Sequence, residues 1–267
     1  MQRKEMPIKS FMKRKWKMVL TVFALAVLLV FFTTISLAPV HKFRELQELV
    51  RADSVFMEEF AGIYLHSELD SLLRERAFKE ALLKLSESDS IQLVVNLSDS
   101  TVGLSIKGVP IHETRISEFS KDRFLKKLPL ILEIKLLSRP LPVLSQYATI
   151  VKEPVVVRHA PKDEEEAALN AWQPDTLLQN PAFAVFTTGF DIQIIFEQDR
   201  NEHFRDRWEK FAFYSHLRTG KVLASVKNFF LFAGQQYQPS ITIEMPVDDL
   251  RAIYRALPES ALIVLKL

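Results

Sequence analysis

Histidine is the first residue to examine for chemistry, because imidazole moves protons near neutral pH. His112-Glu113-Thr114-Arg115 places a histidine beside a carboxylate but lacks the second histidine of a zinc-protease helix, and it falls in a stretch that reads as a strand. His203 and His216 stand too far apart for one helical face to present both to a single ion, so no metal site is expected. The chain has no cysteine. That excludes thiolate nucleophiles, Cys-ligated zinc, iron–sulfur clusters and disulfide staples. No GxSxG elbow occurs, and with six glycines there is neither GxGxxG nor GxxxxGK[ST]. No cofactor is expected. Asn96-Leu97-Ser98 is a formal glycosylation triplet of a kind that arises often by chance. The run Lys162-Asp163-Glu164-Glu165-Glu166 before Ala167-Ala168-Leu169 reads as an acidic first helical turn, favoured at the positive end of a helix dipole.

The strongest signal is one of address. The 23 residues Met18–Val40 carry no charge and follow Lys13-Arg14-Lys15-Trp16-Lys17. A bilayer core needs about 20 apolar residues as a helix. Seven basic side chains (Arg3, Lys4, Lys9, Lys13, Arg14, Lys15, Lys17) against Glu5 precede the run. The positive-inside rule then keeps residues 1–17 in the cytoplasm and sends 41–267 across. The rival reading is a cleaved signal peptide, for which Ser36-Leu37-Ala38 has the small-x-small form; the length of the run and Pro39 after the cut favour an uncleaved anchor. Of 35 Lys+Arg and 33 Asp+Glu, seven and one lie in residues 1–17, leaving 28 against 32. The exported part is mildly acidic, which argues against a nucleic-acid partner and makes the lipid bilayer the first partner.

Four segments follow: a basic tail 1–17, a transmembrane helix 18–40, a helical stalk 41–89 and a β-rich extracytoplasmic domain 90–267, an α+β chain overall. His41–Ser86 has leucines at helical spacing, with Asp53, Ser67 and Asp70 as N-caps and Gly62 as an interruption, predicting two or three helices. From Ser90 the period becomes two. Ile91–Asn96, Val102–Ile106 and Val109–Ile116 make a meander with turns at Ser98-Asp99-Ser100 and Lys107-Gly108. The stretch 121–137 is ambiguous between helix and strand and is broken by Pro140 and Pro142. Strands are predicted at Thr149–Val157, Phe183–Phe186, Phe190–Phe196, Ser240–Glu244 and Ile263–Leu267. Helices are predicted at Glu202–Phe213 and, opened by Pro246, at Val247–Ala256.

Two stretches together carry a family resemblance. Ile91–Ile111 is a strand, a polar turn, a second strand, then Lys-Gly and a third strand. Ile241-Thr-Ile-Glu-Met-Pro-Val-Asp-Asp-Leu-Arg-Ala-Ile-Tyr254 runs on to Val264 as a short strand, an Asp-led helix and a closing strand. These resemble the opening hairpin and the last segment of the L,D-transpeptidase (YkuD-type) catalytic domain, and Phe183–Ile194 is similar to the strand that ends in that family's Ile-His-Gly element. The resemblance implies a sandwich-like domain of the bacterial envelope. The family cross-links peptidoglycan stem peptides through a cysteine assisted by histidine. Here Tyr237-Gln238-Pro239-Ser240-Ile241 stands at the nucleophile, with Ser240 in the place of the cysteine and Gln193 in the place of the upstream histidine.

A serine needs a base to act as a nucleophile, and no histidine is near Ser240 in sequence. Ser240 is thus a weak catalytic candidate, and a serine-dependent hydrolase or transpeptidase is a minor expectation. Phe229, Phe230, Phe232 and Tyr237 are expected in the core; alternatively Phe229, Phe230, Tyr237 and Gln238 line a groove that once received a stem peptide. The leading expectation is a non-enzymatic, single-pass protein of the inner membrane. Its N-terminus would be cytoplasmic and its periplasmic domain would bind peptidoglycan or another envelope protein. The alternative is a bitopic scaffold of an envelope machine acting through the transmembrane and stalk helices.

Overall fold

The structure, a computed structural model, describes residues 8–60, 67–152, 181–199 and 204–267. The acidic run at 162–166, most of the strand predicted at 149–157, Gly62, Glu202 and His203 lie outside them. The chain divides into a helical unit, 1–47 with 219–237, and a sheet unit, 48–218 with 238–267.

The helical unit contains most of α1 (Ile8–Arg51), which runs without a break from the apolar stretch into the first part of the predicted stalk. Its most apolar 18-residue window has a mean hydropathy of 2.7 and no buried residue. α1 is therefore long and apolar enough to cross a membrane. The hydroxyls of Thr21, Thr33 and Thr34 each donate to the carbonyl three residues back at 2.8 Å, hiding these polar groups within the helix. The unit also takes the last turns of the helix Phe204–Phe230 described below.

In the sheet unit, α2 (Ser54–Phe60) is capped by Asp53, whose Oδ1 accepts the Phe56 N–H at 3.1 Å. α3 (Ser67–Leu85) follows. Then come β1 (Gln92–Asn96), β2 (Thr101–Ile106), β3 (Val109–Arg115) and β4 (Glu118–Lys121). The ambiguous stretch is helical, as α4 (Arg123–Lys126) and α5 (Leu130–Leu137). β5 (Leu141–Ala148) begins among the prolines that were expected to break the chain. β6 (Phe183–Thr188) and β7 (Gln193–Gln198) flank a 3-10 turn, Gly189–Asp191. Phe190 is therefore not in a strand: its φ is 62°, and its ring stacks under the Arg139 guanidinium at 4.8 Å. The helix predicted to end at Phe213 continues to Phe230 as α6 (Phe204–Phe230). β8 (Ser240–Met245), α7 (Val247–Ala256) and β9 (Leu262–Lys266) close the chain.

Among the described residues the strands form one mixed sheet in the order β3-β2-β1-β9-β5-β6-β7-β8-β4. β1/β9 and β7/β8 are parallel, and the other neighbours are antiparallel. β5 joins the halves. Leu141 and Pro142 pair with β9, and after a register shift at Val143/Ser145 the rest pairs with β6.

α3 packs on one half of the sheet, with Phe78, Ala81 and Leu85 buried against Val264. It is also tied by a two-bond Arg74–Glu133 ion pair (2.9 and 3.2 Å) and by Glu75–Lys266. The β6–β7 pair is covered on both faces. Phe183, Val185 and Ile195 meet Phe213 of α6, while Phe186 packs on Phe196 and on Tyr254 of α7.

Gly103 is fixed by a close approach. A Cβ there would lie 2.6 Å from the His112 carbonyl oxygen on β3, a backbone atom that cannot rotate away. Gly103→Ala is expected to cost about 1–3 kcal/mol by forcing β2 and β3 apart, read as a lower denaturation midpoint.

Candidate functional site

The parallel pairing of β7 and β8 decides which polar groups share a face. The register sets Gln193 beside Ser240, Ile195 beside Thr242 and Glu197 beside Glu244. Because side chains alternate, all six lie on one face. It is the face on which α6 packs, since Ile195 belongs to the cluster around Phe213. β4 extends the strip, with Glu118 opposite Glu244 and Ser120 opposite Thr242.

One end of the strip is built from amides. Gln193, buried, donates from Nε2 to Gln238 Oε1 at 3.0 Å, and its backbone N–H donates to the Pro239 carbonyl at 2.8 Å. Gln193 Oε1 is buried without a partner. Ser240 is half-buried, and its carbonyl accepts the Asp122 N–H at 2.9 Å. The positions that the resemblance implied for histidine and cysteine are thus neighbours, occupied by an amide and a hydroxyl. Glu244 shares the face but is four residues along, about 13 Å at strand rise, so its carboxylate is out of reach of the Ser240 proton.

The other end is ionic. Glu197, 2% exposed, pairs with Lys210 of α6 and accepts the Tyr214 hydroxyl. Burial pushes the Tyr214 phenol up, and its hydrogen bond to the Glu197 carboxylate adds to this; Thr242 also bonds the hydroxyl. Desolvation likewise holds Glu244 above the ordinary carboxylate range. Lys210 opposes this shift, and Glu197, Glu118 and Asp199 reinforce it. Sequence reasoning missed this cluster. The period-two pattern marks Glu197 and Glu244 only as polar positions, and nothing local connects them to Lys210 and Tyr214.

The other sequence candidates are dispersed. His112 lies 3.6 Å from Asp249 Oδ1 through Nε2, while Thr114 donates to Asp249 Oδ2 at 2.6 Å. This pair of contacts fastens β3 to α7. His216 stacks on Tyr147 at 4.5 Å. The described residues contain no group of three or more His, Cys, Asp or Glu that could hold a metal ion. Gln238 and Ser240 belong to the sheet unit, whereas Phe229, Phe230 and Tyr237 belong to the helical unit. The expectation of a core position fails for Phe230 and Phe232, which are 72% and 97% exposed; Phe229 and Tyr237 are half-buried. Asn96 is tied into the turn through Asp99, donating to its Oδ2 at 2.7 Å and accepting its N–H at 3.1 Å.

A separate cleft of about 250 Å³ lies between α2, α3 and α5, walled by Phe56, Leu73, Ala77 and Ile134. Among the charged groups that line it, Arg76 pairs with Glu80 and Lys135 with Asp53, while Lys84 donates to the Ser138 carbonyl at 3.0 Å. The Lys135 bond holds the Asp53 carboxyl below its ordinary value, with the Phe56 N–H adding to the effect. The cleft fits packing between helices better than recognition of a charged ligand.

No protein-family model, curated protein or solved structure matches the chain.

Proposed function

We propose that this chain is a single-pass envelope protein with residues 1–17 in the cytoplasm and α1 across the inner membrane. Its periplasmic sheet unit is an L,D-transpeptidase-like module that no longer catalyses and binds peptidoglycan. The observation that carries the reading is the juxtaposition of Gln193 and Ser240 on β7 and β8. The family resemblance needs a base and a nucleophile to meet at this point, and the chain brings its counterparts together with neither chemistry present. An amide pair stands there instead: buried Gln193 positions the half-buried Gln238, whose amide is suited to the peptide groups of a stem peptide. The apolar window of α1, which has no buried residue, supports the anchor, and the basic flank supports its orientation.

The test is co-sedimentation of the detergent-solubilised full chain with purified sacculi. Retention above a control protein is expected. It should fall severalfold in Gln193→Ala and Gln238→Ala and stay unchanged in Ser240→Ala. No retention above control rejects peptidoglycan as the ligand and leaves an envelope protein as the partner to seek. Loss of a turnover activity in Ser240→Ala would reject the non-catalytic reading.

A further inference from the structure

The end of α6 exposes more apolar surface than a water-facing helix tolerates. Within Thr219–Tyr237, Val222, Leu223, Phe230, Leu231 and Phe232 are between 60% and 97% exposed. The chain turns sharply here, with Phe232 at a φ of 52° and the Ala233 N–H bonded to the Asn228 carbonyl at 2.9 Å. Phe230-Leu231-Phe232 is thereby held outward at the tip of a closed turn.

Two observations say what covers this tip. Phe229 packs edge-on against Phe31 of α1 with ring centroids 5.3 Å apart. Phe31 lies inside the uncharged run, nine residues before Val40, which is about 14 Å along the helix axis. The tip therefore sits beside the part of α1 that is surrounded by hydrocarbon. Composition agrees with this placement. From Lys210 to Ile243 there is no acidic residue, while Arg218, Lys221 and Lys227 precede the aromatic tip. Basic side chains with long stems reach headgroups from below the surface, whereas carboxylates are costly there.

We propose that Lys221–Ala233 is a second membrane element, inserted as a wedge into the leaflet at the Val40 end of α1. Phe230, Leu231 and Phe232 lie among acyl chains, and Lys221 and Lys227 reach phosphate headgroups. The sheet unit is then attached to the bilayer at two points. This rests on α1 crossing the membrane.

The full chain has no cysteine, so single labels can be placed cleanly. Phe230→Cys and Phe232→Cys, each carrying an environment-sensitive fluorophore, are reconstituted in phosphatidylcholine–phosphatidylglycerol vesicles. Leu28→Cys reports the core of α1, and Val109→Cys, 62% exposed on β3, reports water. Both tip labels should be quenched by acyl-chain spin-labelled lipid severalfold more than the Val109 label, and shielded from a soluble quencher. Tip labels that behave like Val109 while Leu28 stays lipid-quenched overturn the wedge alone. A Leu28 label open to the soluble quencher overturns the span and the wedge together.

Discussion

Phe213→Ala is expected to destabilise the sheet unit by about 3–5 kcal/mol, the range for deleting a fully buried phenylalanine and leaving a cavity. Phe213 is 1% exposed, and its ring packs on three others: Phe183 and Tyr147 at 5.6 Å and Tyr214 at 5.7 Å. Those contacts join α6 to β5 and β6. Removing the ring also loosens the seat of Tyr214, whose hydroxyl serves Glu197. Phe211 provides the control. It lies on the same helix but is 61% exposed, and Phe211→Ala should stay within about 0.5 kcal/mol. Denaturant titration of the full chain in detergent, followed by near-UV circular dichroism, measures both. A larger loss at Phe211 than at Phe213 would mean that α6 docks by its other face.

The same docking shows what the sequence could and could not reveal. Strands β1, β2, β3 and β8 were readable from period-two patterning between turn residues, and Lys107 and Gly108 have the positive φ that such a tight turn requires; β9 was readable as a short apolar run, Leu262–Leu265, at the close of the chain. α7 was readable because Pro246 opens it and two aspartates follow. β5 was not. Pro140 and Pro142 read as breakers, yet Pro142 falls on the short β9 ladder where the strand changes partner, and the next residue, Val143, supplies its N–H to the Ala261 carbonyl at 3.0 Å. The end of α6 was not readable either. The helix expected to end at Phe213 continues through Gly220, where a Cβ would meet nothing within 4 Å, to Phe230.

Site legibility divides along the same line. Placing Gln193 and Ser240 together depended on reading two distant segments as parts of one domain, and the β7–β8 register is a property of the assembled sheet. The aromatic tip is expected in the core from hydrophobicity alone, which does not separate an interior residue from an exposed apolar one. Phe230 at 72% exposure makes the distinction that composition cannot.

Lys210→Met is the second large perturbation. Glu197 is 2% exposed, and the Lys210 ammonium, itself about one-third exposed, is its charge partner. Breaking a buried pair by removing one member typically costs 3–5 kcal/mol; the partial exposure of Lys210 reduces the expected loss to about 2–4 kcal/mol. Methionine keeps most of the aliphatic stem, so the loss reports charge rather than packing. The pH dependence has a definite sign. Glu244 already sits above its ordinary value of 4.5, and Lys210 is the group that restrains it. Without Lys210 it rises further. A carboxyl raised on folding withdraws stability as pH increases through its folded pKa, because the folded state resists the charged form. The deficit of Lys210→Met against the parent should therefore be smallest at acid pH and grow as pH rises through the parent's raised folded Glu244 pKa. Lys210→Met with Glu197→Gln should recover part of the loss, since the amide keeps a hydrogen-bond acceptor for Tyr214 without a buried charge. A deficit that is flat with pH, or no recovery in the double variant, would show that Lys210 acts through packing and that the strip beneath α6 is not organised by charge.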